Sequence, residues 1–133
     1  MQARTPALRF LSDNQADAFV EDHLQAVAVV EALNSAIDAD AARKALVGAA
    51  AFLVPHMAEE EALDGVFHWL TALAPRLCDE IELLRAEHLA IRAALHAAVA
   101  ATDADVAELA HALARRLESH ETAERAAIEA AIG

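Results

Sequence analysis

With 133 residues and a formal net charge of −12, this chain is long enough for one domain that buries most of its apolar surface without disulfides. It is also too acidic to grip nucleic-acid phosphates, which need clustered Lys and Arg. Alanine makes up over a quarter of the sequence, against three glycines, three prolines and no tyrosine, so helix is favoured nearly everywhere.

No apolar run reaches the roughly 18 residues of a membrane span. The single cysteine, Cys78, excludes an internal disulfide, and the first ten residues lack the apolar stretch of a secretory signal. The expectation is a cytoplasmic protein with no nucleic-acid and no membrane partner. Residues 1–11 are expected as an N-terminal tail and residues 12–133 as one all-α domain.

Ser12-Asp-Asn-Gln15 reads as a capping box opening a helix that runs to about Asn34, with Phe19, Val20, Val27 and Val30 as its apolar stripe and His23 on that stripe. A second helix is predicted from Asp38 or Asp40 to about Leu70. Its stripe includes Phe52, Leu63 and Phe67, together with His56 and Glu60. Pro55 lies inside it and predicts a kink rather than a stop. Pro75 suits the first turn of a third helix, running to about Ala101, with Ile81, Leu84, His88, Ile91 and Leu95 inward. Thr102 or Asp103 caps a fourth, with Leu109, Leu113, Leu117, His120, Glu124 and Ile128 inward. Short reversals between long helices predict an up-down-up-down four-helix bundle.

His23, His56, His88 and His120 are separated by 33, 32 and 32 residues, and turn signals fall near the midpoints between them. A chain that reverses at each midpoint brings all four to one height. Two of them begin His-x-x-x-Glu pairs, His56 to Glu60 and His120 to Glu124. That spacing puts both side chains about 40° apart on one helix face. Isolated buried carboxylates are costly, and a cation resolves the conflict by supplying positive charge and taking the lone pairs. Imidazole with carboxylate suits iron, manganese or zinc. Six groups exceed the roughly four positions of a structural zinc, so two irons bridged by Glu60 and Glu124, with the histidines terminal, are the leading expectation. His68, His96 and His111 fall off the stripe and are expected to face outward or sideways. A bundle without metal, whose acidic face meets a partner, is the alternative.

The set His23, His56-x-x-x-Glu60, His88 and His120-x-x-x-Glu124 resembles the hemerythrin-like, or HHE cation-binding, domain family over about residues 12 to 132. The resemblance implies a four-helix bundle with a non-haem di-iron centre. It also implies a small ligand, oxygen, nitric oxide or peroxide, that is sensed, stored or scavenged at an open metal position. A di-iron enzyme reducing peroxide or nitric oxide is the other activity it allows. Oxygen-carrying members have two histidines four residues apart on the third helix; here Leu84 and Arg92 flank His88 at that spacing. Glu59, Glu61, Glu87 and Glu121 are the candidate substitutes. Ferritin-like di-iron proteins need two Glu-x-x-His pairs, and this chain has one, Glu108-Leu-Ala-His111.

Overall fold

The computed structural model describes residues 13–133, with side chains from Glu21 onward. The predicted tail, the Ser12 cap and the Phe19 and Val20 side chains lie outside the described residues. Helices account for nearly all of the rest: α1 (Asp13–Ser35), α2 (Ala39–Glu61), the short α3 (Val66–Leu73), α4 (Cys78–Val99) and α5 (Val106–Ile132), with a 3-10 turn at Pro75–Leu77. There is no strand among the described residues. No described helix is long and apolar enough to cross a membrane.

The second predicted helix is in fact two. Asp38, the earlier of the two starts the sequence leaves open, caps α2 by accepting from the Ala41 amide at 2.8 Å. The helix then runs through Pro55 without interruption. The carbonyl that Pro55 leaves without a helical donor is that of Ala51, on an exposed position where water can satisfy it. At Glu61, not Leu70, the helix stops. Leu63, predicted inward, is 84% exposed, because residues 62–65 turn the chain before α3 begins.

Gly65 makes that turn possible. Its amide donates to the Ala62 carbonyl at 2.9 Å. A Cβ at this position would run into the Glu59 carbonyl oxygen and lie 2.6 Å from that of Glu60. Gly65→Ala is therefore expected to destabilise the protein by about 1–3 kcal/mol, the cost of overpacking a site that cannot yield. The midpoint of a urea titration measures it; an unchanged midpoint would show that the turn can shift freely.

The fourth predicted helix begins later than its turn signals indicate. Thr102 first closes a turn, its carbonyl accepting from the Asp105 and Val106 amides at 3.0 and 2.9 Å. Asp105, rather than Thr102 or Asp103, is then the cap residue. Asp103 instead takes the Arg43 guanidinium of α2 at 2.6 Å.

Helix α1 packs on α2 and α5, and α4 packs on the same two. The buried face of α1 is Ala26, Val30 and Leu33; Val27, predicted inward, is largely exposed, one position off this 3-4 spacing. Leu109 is half-buried, whereas Leu113, Leu117 and Ile128 are in the interior. Two apolar clusters result. One gathers Leu33, Leu46, Leu53, Met57, Ile91, Leu95, Leu113 and Leu117. The other, roofed by α3, gathers Phe67, Leu70, Ile81, Leu84 and Ile128. Along α4 the sequence passes from Leu84 of one cluster to Ile91 of the other, and along α5 from Leu117 to Ile128. His88, His120 and Glu124 occupy the gap between them.

Candidate metal centre

Buried polar side chains occupy this gap. His88 is fully enclosed, and His120, Glu60 and Glu124 are nearly so. They come from three helices: Glu60 from the last turn of α2, His88 from the middle of α4, and His120 with Glu124 from α5. The His88 and His120 Nε2 atoms face one another at 3.2 Å. Glu60 Oε1 lies 3.2 Å from His88 Nε2 and 3.3 Å from His56 Nε2. His120 Nε2 is 3.5 Å from Glu124 Oε2. One nitrogen or oxygen from each of Glu60, His88 and His120 lies within 4.8 Å of the others, a spacing that could hold a metal ion. Asp22, His56 and Glu59 make a second such group, less buried. Phe52 stacks on the His56 ring at 4.8 Å and Phe67 leans on that of His88 at 5.0 Å, so apolar walls set both rings.

His23 is placed differently. Its ring is one-third exposed and carries the Arg125 guanidinium, whose Nη2 lies 2.8 and 3.1 Å from the two ring nitrogens. Of the six residues singled out by spacing, five adjoin one another around Glu60, and His23 stands beside them at the rim. The other histidines leave this layer. His68 and His96 are exposed, and His111 donates from Nε2 to the Ala36 carbonyl at 2.8 Å, tying α5 to the end of α1.

Among the described buried side-chain atoms, six have no hydrogen-bond partner: both Glu60 oxygens, Glu124 Oε2, and the Nδ1 atoms of His56, His88 and His120. Native interiors pair nearly all such atoms, so this concentration in one layer needs a cause. Charge balance sharpens the point. Burial, and then the adjacent Glu124, push the Glu60 carboxyl well above the usual carboxylate range. Burial acts on Glu124 too, but the neighbouring Glu60 carboxyl and His120 ring outweigh it and keep Glu124 low. Burial and then the His120 charge bring His88 down to about 4, whereas His120, although buried, is raised by Glu124. Without a cation, protons on Glu60 and His120 have to stand in for its charge. The donor set of imidazole nitrogens and carboxylate oxygens, short of positive charge and of partners, fits a divalent transition metal.

Sequence spacing overlooked Asp22. Its Oδ2 lies 3.4 Å from His56 Nδ1. The available signal was its place immediately before His23, turned about 100° around the helix. Arg92 pairs with Glu61 at 2.8 Å.

Glu121 offers a test that needs no metal. Burial, and then Glu124, raise it to about 7. The folded state therefore holds a proton that the unfolded chain releases near the usual 4.5, so this group makes the metal-free protein less stable as pH rises from about 4.5 to 7. Glu121→Gln removes that penalty. Its stability relative to the parent is expected to grow across this window by at most about 3 kcal/mol, as thermal melts at pH 5 and pH 8 would read. A constant difference would contradict the assignment.

Comparison with family models, with curated proteins and with solved structures finds no match to this chain.

Proposed function

We propose that this protein is a hemerythrin-like, up-down-up-down bundle that binds two irons through Glu60, His88, His120, Glu124 and His56. The observation that carries the reading is the buried layer of unpartnered imidazole and carboxylate atoms between two apolar clusters. His23 completes a six-residue set when its ring leaves the Arg125 guanidinium. Bound iron would supply redox chemistry and an open position for a small ligand such as oxygen, nitric oxide or peroxide. Manganese or zinc fits the same donors.

The chain's own residues do the rest. Glu60 and Glu124 provide negative charge from two helices, and neutral His88 offers a lone pair at neutral pH without first losing a proton. Phe52 and Phe67 hold rings in place and limit water. Leu84 has no donor atom and Arg92 is engaged on Glu61, so neither adds an imidazole-like ligand beside His88. Sensing, storage or scavenging accordingly fits better than reversible oxygen carriage.

Metal analysis of protein purified without a metal-affinity tag, with an optical spectrum of the oxidised form, tests the reading. Close to two irons per chain is expected; protein that takes up no iron on anaerobic reconstitution overturns it. Two variants on one helix refine the test. His120→Ala is expected to lower stoichiometry or affinity, whereas His111→Ala costs only its bond to Ala36, about 1 kcal/mol. Equal losses of metal in both would contradict the site.

A further inference from the structure

Each histidine of the layer has two ring nitrogens, and the outward ones follow a pattern. His56 Nδ1 lies 3.4 Å from Asp22 Oδ2, His88 Nδ1 3.5 Å from Glu61 Oε1, and His120 Nδ1 3.5 Å from Glu87 Oε1. His23 Nδ1 is 3.8 Å from Glu121 Oε2. In every pair the acid comes from a different helix than the histidine. Asp22 of α1 faces α2, Glu61 of α2 faces α4, Glu87 of α4 faces α5, and Glu121 of α5 faces α1. The four pairs close a ring around the bundle.

Their sequence positions alternate in a way that helix geometry explains. Asp22 and Glu87 immediately precede a layer residue, His23 and His88; Glu61 and Glu121 immediately follow one, Glu60 and His120. A neighbouring residue is turned about 100° around the helix. Seen from one end of the bundle, the residue before on a helix running up is turned the same way as the residue after on a helix running down. The alternation therefore aims all four acids in one rotational sense, each onto the next helix. All four keep between 24 and 37% of their side-chain surface exposed, against 6% for Glu60 and for Glu124.

We propose that Asp22, Glu61 and Glu87 form a girdle of positioning residues, each fixing the histidine of the next helix with Nδ1–H outward and the Nε2 lone pair inward; Glu121 is aimed in the same sense, but the Arg125 guanidinium occupies both ring nitrogens of His23. The buried Nδ1 atoms of His56, His88 and His120 have no other partner, and a small side-chain shift brings each acid into hydrogen-bond range. Arg92 steadies one member by holding Glu61 at 2.8 Å. A ring tied in this way presents its other nitrogen in one orientation, and the carboxylate makes that nitrogen a stronger donor to a cation. The second effect rests on the metal reading above; the tautomers do not.

Histidine nitrogen NMR of the metal-free protein, at an alkaline pH where His120 has given up the second proton it holds in place of a cation, reads the tautomers directly. The Nδ1–H form is expected for His56, His88 and His120. Glu61→Ala and Glu87→Ala should release His88 and His120 respectively into mixed tautomers, and Glu61→Gln and Glu87→Gln, which keep an acceptor oxygen, should restore them. Titration with cobalt(II), followed by its visible absorption, is expected to show affinity lowered about 10–100-fold in each alanine variant, with partial recovery in the glutamine variants and no change in Glu129→Ala. Predominant Nε2–H tautomers in the parent protein, or cobalt affinity unchanged in both alanine variants, would overturn the girdle. Failure of the parent to bind cobalt or iron would instead sink the metal reading, and the tautomer spectra would still decide this one.

Discussion

Loading the metal-free protein with excess ferrous iron under anaerobic conditions is expected to raise its melting temperature by roughly 10–20 °C. Folding without metal encloses Glu60, Glu124, His88 and His120 with six side-chain atoms of the layer unpartnered, counting His56. Each such atom loses water and gains little, at about 1–3 kcal/mol apiece when nothing replaces the lost bond. A cation that engages these groups binds only the folded chain. At free metal a thousand times the dissociation constant, mass action contributes about 4 kcal/mol. For a domain of this size each kilocalorie moves the transition by about 3–5 °C. Differential scanning calorimetry with and without iron provides the measurement, with binding followed separately by absorbance. Superimposable melts with iron demonstrably bound would contradict the placement of the metal in the buried layer.

The second large effect comes from Glu60→Gln, which should move stability and metal binding in opposite directions. Glutamine keeps the length and shape of Glu60, carries no charge, and offers an N–H to the unpartnered Glu124 oxygen. Burial raises the folded pKa of Glu60, so the native state retains a proton that the unfolded chain gives up above the usual carboxylate range. Native stability therefore falls as pH climbs from that range through the folded pKa, and glutamine, with no proton to lose, escapes this slope. The metal-free variant is expected to match or exceed the parent at acid pH and to be more stable by about 1–3 kcal/mol at pH 8. Metal affinity, by contrast, should drop at least about 100-fold, because the group that adjoins both His56 and His88 no longer supplies a negative oxygen. Urea titrations of the metal-free forms and competition with a chelating dye give the two quantities. A variant that is less stable at pH 8, or that binds iron as tightly as the parent, would contradict the role given to this residue.

Composition and periodicity were enough to determine the helical class, the start of α2 near Asp38 or Asp40, the inward faces of α4 and α5, and the burial of Glu60, His88, His120 and Glu124. These are local matters: a 3.6-residue repeat says which side of a helix is apolar, and a His-x-x-x-Glu pair on that side must go in with it. The same repeat misled where the helix it presumed was absent. Leu63 continues the stripe of α2 on paper, but Gly65 folds the chain back onto the Glu59 and Glu60 carbonyls and leaves Leu63 in water.

Only the tertiary structure decided which helix each flanking acid meets. Asp22, Glu61, Glu87 and Glu121 look alike in sequence, as charged neighbours of buried residues. Which nitrogen each one faces depends on the packing of the next helix, whose partner residue lies far away in the chain, as Glu121 does from His23. Rotation about one helix axis is encoded by neighbours in the chain. Contact between helices is encoded by the shapes of all of them together, and a single sequence read along its length carries no record of that sum.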